Sequence, residues 1–257
     1  MAIPILGDRR RTPRPWEVLS GPEMVFVLVA AVLGGAAQSV LGFGAAFTTV
    51  PAIAIVAPEL IPGAALLSFL PLTGIMALRE RTLMDRPAAF RICVARVPGI
   101  LLGTAAVKVL DADDLATGVA IVMLGAVVSA GLGWSVAMTP TSERIAGVIS
   151  GFSGTAVGLG GPPLAVLFRD RPPQQSRPTL AVVFTIGILL STFTLAVTGS
   201  LTWNQVTSGA VIAVGLMAGL VLASPLLARL SDKTIRGGLL VWAGSGSAVA
   251  LLRVVLR

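Results

Sequence analysis

Eight long stretches of the chain carry little or no charge, and this feature constrains the fold more than any other. A helix needs about 20 apolar residues to cross the hydrocarbon core of a bilayer, and six of the stretches are 21 to 24 residues long. Leu, Ala, Val and Gly dominate them without the alternation of barrel strands, so we expect helices. The stretches are 24–57, 62–78, 87–110, 115–138, 145–168, 178–198, 205–228 and 235–256.

The composition agrees with a membrane protein. Hydrophobic residues make up 55% of the 257 residues and charged residues 12%, against roughly 25% charged in a soluble domain. The net charge of +7 comes from short basic clusters between the apolar stretches, as in the loops of membrane proteins. We therefore exclude a cytosolic globular enzyme, a nucleic-acid-binding module and a disordered chain. We expect an integral protein of the cytoplasmic (inner) membrane.

The chain lacks most of the side chains that intramembrane catalysis requires. It has no histidine and a single cysteine, Cys93, which excludes histidine catalysis, an intrachain disulfide and a cysteine-based metal site. No Asp or Glu falls deep in an apolar stretch, so hydrolysis and proton relays lack their usual groups. We predict that the protein is not an enzyme and has no cofactor, metal or catalytic residue. Transport would be facilitated, or coupled to an ion held by carbonyl and hydroxyl oxygens.

An internal repeat divides the chain. Residues 39–44 resemble residues 155–160, which lie 116 positions later. We predict a basic N-terminal tail, 1–21, and two membrane repeats of four segments each, 22–138 and 139–257. Secondary transporters are commonly built from such repeats. Further matches at this offset are Gly35 with Gly151, Pro62 with Pro178, Gly99 with Gly215, and Gly103 with Gly219.

The basic loops of the two repeats have opposite bias. The loop 79–91 follows the second segment of its repeat, whereas the loops 169–177 and 229–236 follow the first and third segments of theirs. The bias sharpens if each repeat crosses the membrane an odd number of times, which inverts one repeat relative to the other. One segment per repeat would then be broken or re-entrant. The sequence leaves two candidate pairs, 24–57 with 145–168 and 115–138 with 235–256.

Glycine and proline are concentrated in the first and fifth segments. Residues 41–44 read Leu-Gly-Phe-Gly, and residues 158–163 read Gly-Leu-Gly-Gly-Pro-Pro. Such runs interrupt a helix, and unwound backbone at membrane depth survives only where it is buried in protein or lines a polar cavity. Matching interruptions in two repeats favour a binding site, with helix ends suited to an anion. Close packing of helices through small residues is the alternative.

These motifs resemble those of the TauE/SafE-type sulfite exporters, the TSUP family of membrane transporters. The family has paired glycine-rich motifs in its first and fifth segments, which correspond here to 41–46 and 158–163, and residues 97–103 are similar to its third segment. Ala45 stands where the family usually has a second glycine. The resemblance implies transport of sulfite, a sulfonate or a related sulfur-containing oxyanion. A membrane-embedded scaffold or assembly protein without transport activity is the alternative function.

Arg96 is the charge that lies deepest in a predicted segment. A guanidinium stays charged when buried and offers five donors, which suits an oxyanion, whereas snorkelling to the interface is the alternative. The aligned position in the second repeat is Ile212. The expected partners are the lipid bilayer and a small anion, with no nucleic acid, and a homodimer is left open. The predicted substrate-binding residues are Gln38, Ser39, Gly42, Phe43, Gly44, Thr48, Arg96, Ser153, Thr155, Gly158, Gly160, Gly161 and Pro162.

Overall fold

The computed structural model describes residues 19–226, and all regular elements within that range are helical. The predicted eighth segment, 235–256, and most of the basic tail lie outside the described residues. Single 3-10 turns at Pro58–Leu60 and Arg81–Leu83 flank the third α-helix. The α-helices of the described range are α1 (Gly21–Leu41), α2 (Ala45–Val56), α3 (Gly63–Glu80), α4 (Arg86–Val109), α5 (Ala112–Gly131), α6 (Pro140–Val157), α7 (Gly161–Leu167), α8 (Pro173–Val197) and α9 (Trp203–Leu226).

Six of these helices, α1, α3, α4, α5, α8 and α9, are long and apolar enough to cross a membrane. Their outer faces carry large apolar side chains, and Phe90, Val197 and Val214 are 70%, 70% and 68% exposed. Such a surface is stable in contact with lipid and not with water. The predicted all-helical membrane protein is therefore confirmed at this level.

Polar caps set where several helices begin. The Asp85 carboxylate accepts the N–H of Ala88 at the start of α4, and the Asp111 carboxylate accepts that of Asp114 at the start of α5. Each cap satisfies an N–H that has no partner within its helix. The predicted segment 115–138 is helical only as far as Gly131, because the chain turns at 132–133.

The first predicted segment is a hairpin of two helices and not one continuous span. α1 ends at Gly42, whose φ of 83° is left-handed and strained for other residues. The Thr48 hydroxyl donates to the Ala30 carbonyl at 2.8 Å, and the Ala45 N–H donates to the Gln38 side-chain oxygen at 3.0 Å. Ala45 at the start of α2 is thus bonded to the last turn of α1, and Thr48, three residues later, to the middle of α1, so α2 runs back beside α1.

The fifth predicted segment forms a matching hairpin. α6 ends at Gly158, with a φ of 76°, and residues 159–160 then run back beside it. The Ser150 hydroxyl donates to the Gly160 carbonyl at 2.6 Å, and the Ser153 hydroxyl donates to the Leu159 carbonyl at 2.8 Å. Both predicted interruptions are therefore present.

Close glycine contacts show that α1 runs parallel to α9 and α4 runs parallel to α6. A Cβ added to Gly219 would meet Ala36 at 2.8 Å, and one added to Gly215, a turn earlier, would meet Leu28 at 3.2 Å. Between α4 and α6, Ile92 lies against Gly147, and Gly103 lies against Ala156. The residue numbers of the contacts increase together along the two helices, so the helices are parallel. Small residues at these positions let the paired backbones approach closely.

Hydrogen bonds at the helix ends relate the remaining helices. The Gln205 amide at the start of α9 donates to the Glu59 carbonyl, just before α3. The Asp85 N–H, just before α4, donates to the Thr179 hydroxyl near the start of α8. Arg177 of α8 pairs with Glu80 at the end of α3. Together with the glycine contacts, these bonds place α1, α3 and α9 in one direction and α4, α6 and α8 in the other.

Candidate anion-binding site

A cavity of about 40 Å³ lies where the two hairpins meet α3, α4 and α8. A volume of this kind has room for about three water molecules. Both glycine-rich motifs contribute to its wall, since Phe43 and Gly44 come from the first and Gly158, Gly160 and Gly161 from the second. The structure therefore brings together two motifs that are 116 residues apart in the sequence.

Arg96 enters this cavity from α4 and is only 3% exposed. Its Nη1 donates to the Ser150 hydroxyl at 2.8 Å, and that hydroxyl donates onward to the Gly160 carbonyl. The guanidinium carbon lies 5.9 Å from the centroid of the Phe184 ring, within the range of a cation–π contact. Snorkelling is therefore the wrong description of this side chain.

The guanidinium of Arg96 is not neutralised by the described part of the protein. Its Nε is buried without a hydrogen-bond partner, and no described carboxylate forms an ion pair with it. A buried cation without a counter-charge is strongly destabilising, and a buried donor without an acceptor adds to that penalty. The arrangement is favourable when an anion occupies the cavity.

The remaining cavity wall is mostly apolar. Phe43 and Phe47 form a tilted pair with ring centroids 6.0 Å apart, and Phe69 and Phe184 also face the cavity. Thr73 donates its hydroxyl to carbonyls of its own helix. Electrostatic interactions are stronger in such surroundings than in water, so the charge of Arg96 dominates the site.

Seven of the thirteen predicted site residues line the cavity, and the sequence did not indicate the rest of its wall. Aromatic residues at irregular spacing give no sequence signal for a shared wall. The seven are Gln38, Phe43, Gly44, Arg96, Gly158, Gly160 and Gly161, and the unpredicted lining residues are Ala46, Leu66, Phe47, Phe69, Thr73, Gly154, Phe184 and Ile188.

The other predicted hydroxyl-bearing residues satisfy their hydrogen bonds elsewhere. Ser39 donates to the Ala36 carbonyl, and Thr155 pairs with Ser191 at 2.7 Å. The Thr48 hydroxyl closes the first hairpin by its bond to Ala30, and the Ser153 hydroxyl closes the second by its bond to Leu159. Pro162 lines a different feature, an apolar groove of about 420 Å³ between α5, α6 and α7.

The two hairpin tips approach the cavity from opposite ends of the bundle. Arg177 holds the first tip, because its Nη1 donates to the Ser39 carbonyl at 2.8 Å while its Nη2 pairs with Glu80 at 2.6 Å. Gly42 also packs against the Arg177 backbone. The second tip, at Gly158, rests on the apolar side chains of Ala65 and Val50.

The site is asymmetric between the repeats. Gly151 packs against the backbone of Arg96, and its repeat counterpart Gly35 packs in the same way against Leu216. The residue that occupies the place of Arg96 in the second repeat is therefore Leu216, which lies four residues after the predicted Ile212. The sequence alignment was one helical turn off, because Gly99 meets a glycine in either register, Gly215 or Gly219. Neither position carries a charge, so among the described residues the first repeat alone supplies the cation.

Helical hairpins that meet at a buried polar site are a feature of membrane transport proteins. A family model described as Sulfite exporter TauE/SafE matches residues 27–249, and the chain belongs to that family. The resemblance seen in the glycine-rich motifs is thus confirmed. Neither the curated proteins nor the solved structures contain a significant match to the chain.

Proposed function

We propose that this protein moves a small sulfur-containing oxyanion, with sulfite as the first candidate, across the cytoplasmic membrane. The family supports the class of transporter. The observation that carries the proposal is Arg96, a buried guanidinium to which the described residues offer no counter-charge, in a cavity between the two hairpin tips. A bound oxyanion would supply both the missing charge and the missing hydrogen-bond acceptor.

A panel of small anions tests this proposal on the purified full-length protein. A ligand that binds only the folded protein raises its apparent stability. We expect sulfite to raise the thermal midpoint in a concentration-dependent manner, whereas chloride at equal ionic strength gives a smaller shift. The scaffold alternative predicts no selective stabilisation and no sulfite flux in proteoliposomes. It is not favoured, because a scaffold has no use for a buried cation without a counter-charge.

We also propose that the repeats 22–138 and 139–257 are inverted relative to each other. The helix directions support this, since α1, α3 and α9 run opposite to their repeat counterparts α6, α8 and α4. The hairpin α1–α2 returns to the side from which it entered, so α3, α4 and α5 supply the crossings of the first repeat. Their number is odd, which is the condition for inversion.

The distribution of charge supports an orientation for this arrangement. Among the described residues, the end of the bundle that holds the first hairpin tip is strongly basic, and the opposite end is acidic. By the positive-inside rule, the basic end faces the cytoplasm. The basic end carries Arg79, Arg81, Arg86, Arg91, Arg144, Arg169, Arg171 and Arg177 with Glu80, Asp85, Glu143 and Asp170, and the opposite end carries Lys108 with Glu23, Glu59, Asp111, Asp113 and Asp114.

The inverted arrangement predicts which loops react with an impermeant thiol reagent in intact cells. Single cysteines are placed at Arg81, at Asp232, which lies outside the described residues, and at Ser200, in a Cys93→Ser background. We expect Arg81→Cys and Asp232→Cys to be protected, because both loops face the cytoplasm. Ser200→Cys should be labelled, since the turn between α8 and α9 lies at the opposite end.

Eight simple crossings give a different labelling pattern. They place the loops of Arg81 and Asp232 on opposite sides of the membrane and put Arg81 and Ser200 on the same side. Either of those results would contradict the inversion. Labelling of all three variants after permeabilisation confirms that each cysteine is reactive.

A further inference from the structure

The charge of the cavity specifies the ionisation state of its ligand. Arg96 is the only ionisable side chain among the described residues that line the cavity, and the polar residues Gln38 and Thr73 are neutral. We propose that the site selects singly charged oxyanions and takes sulfite as hydrogen sulfite, HSO₃⁻. This inference rests on the proposed transport function and adds the charge state of the transported species.

The nearby helix ends add little positive charge to that of Arg96. Helix N-termini can attract anions through their free N–H groups. At the start of α2, however, the Ala45 N–H already donates to the Gln38 side chain. At the start of α7, Pro162 and Pro163 have no N–H to offer. The Gly158 N–H is bonded within the cap of α6. Among the described residues that line the cavity, this guanidinium is therefore the one full positive charge, and the backbone N–H groups add only partial charge.

A doubly charged anion in this cavity would leave one negative charge uncompensated among the rings of Phe43, Phe47, Phe69 and Phe184. Burial of an unpaired charge in such surroundings is strongly unfavourable. The cavity of about 40 Å³ also has no room for an ion together with its hydration shell. Because a dianion holds its water more tightly than a monoanion, dehydration adds to the discrimination.

The described ionisable side chains around Arg96 are either outside the cavity wall or held in ion pairs. We therefore attribute the pH dependence of sulfite binding to ionisation of sulfite itself. Cys93 lies one turn away on α4, and the nearest carboxylate of α6, Glu143, is held in an ion pair with Arg91. The helices α3 and α8 also carry charged groups, and of these Glu80 and Arg177 pair with each other at the cytoplasmic end of the bundle. The described parts of α1 and α2 bring no charged side chain to the cavity.

Transport of hydrogen sulfite removes the need for a proton pathway in the protein. Each HSO₃⁻ carries one negative charge and its own proton, which is released in water on the far side as HSO₃⁻ ⇌ SO₃²⁻ + H⁺. The absence of histidine from the chain and of carboxylates from the described cavity wall is consistent with this mode of movement.

Methanesulfonate and sulfate form a matched pair for the test, because they are similar in size and shape and differ by one charge. Binding to the purified full-length protein is measured by thermal stabilisation at constant ionic strength, from mildly acidic to mildly alkaline pH. We expect methanesulfonate to bind at least about tenfold more tightly than sulfate. The apparent Kd of sulfite should rise about tenfold for each pH unit above its second ionisation, while the Kd of methanesulfonate stays constant.

The outcomes separate this inference from the proposed function. Sulfate that binds as tightly as methanesulfonate, or sulfite binding that tightens as the pH rises, overturns the selection of monoanions and leaves anion transport in place. No stabilisation by any anion, together with no flux, overturns both proposals. A Cys93→Ser variant should keep the pH profile of sulfite binding, and a lost profile would assign the titration to the thiol and contradict the inference.

Discussion

Replacement of Arg96 by glutamine will weaken oxyanion binding by about tenfold or more. Glutamine keeps a hydrogen-bond donor but removes the charge, and a hydrogen bond to a charged group contributes roughly 1.5–3 kcal/mol, which corresponds to about tenfold or more in Kd. Arg96→Lys should restore binding only in part, because lysine lacks the planar pair of donors that fits an oxyanion. The measurement is the Kd of sulfite from thermal stabilisation.

The stability of the ligand-free variant distinguishes a binding role of Arg96 from a structural one. Since Arg96 is buried and no described residue supplies a counter-charge, its replacement removes an unfavourable buried charge. We expect the thermal midpoint of ligand-free Arg96→Gln to equal or exceed that of the wild type. Lys108→Gln is the matched control, because it removes one charge from the exposed end of the same helix and should leave sulfite binding intact. Unchanged affinity in folded Arg96→Gln would contradict the assignment.

Leucine at position 160 will abolish transport. A Cβ added to Gly160 would lie 3.1 Å from the Ser150 carbonyl oxygen, 3.3 Å from its hydroxyl and 3.4 Å from Nη2 of Arg96, so a larger side chain fills the cavity. The backbone φ of −79° is ordinary for any residue, and the effect is therefore one of volume. Flux in proteoliposomes is the measurement, with expression and thermal midpoint recorded for each variant.

Two further variants keep this prediction testable if Gly160→Leu folds poorly. Gly160→Ala adds one methyl group that the Ser150 carbonyl oxygen, at 3.1 Å, must accommodate by a small shift, and it should reduce flux by less than leucine does. Gly74→Leu is the matched control, since nothing lies within 4 Å of a Cβ at that position of α3. Wild-type flux in a folded Gly160→Leu or Gly160→Ala variant would show that the second motif does not border the transport path.

The interruption of two helices was predictable from the sequence, because the dense glycine and proline at 158–163 and the glycines at 42 and 44 disfavour a continuous helix. The reversal that follows each interruption was not predictable. It depends on bonds such as that from Thr48 to the Ala30 carbonyl, which join residues on different helices. The same limit explains why Thr48, Ser153 and Thr155 were predicted as ligands although their hydroxyls hold helices together.

Arg96 was predictable as a functional residue and its surroundings were not. One charge among apolar residues stands out in any sequence, but its neighbours Ser150 and Phe184 come from α6 and α8. The four phenylalanines of the cavity wall follow no shared spacing, so nothing in the sequence groups them. The alignment of α9 with α4 was wrong by one turn for a related reason, since Gly99 can be matched with either of two glycines of α9 that lie one turn apart, Gly215 and Gly219.

Sulfite flux into proteoliposomes, measured in parallel for the wild type, Arg96→Gln and Lys108→Gln, shows whether the anion passes through the cavity around Arg96. The proposed mechanism predicts saturable flux in the wild type and in Lys108→Gln, and flux reduced by about tenfold or more in Arg96→Gln at sulfite concentrations below saturation. Equal flux in all three proteins would show that the cavity around Arg96 is not the path of the anion. Absence of sulfite flux from the wild type would contradict the transport function itself.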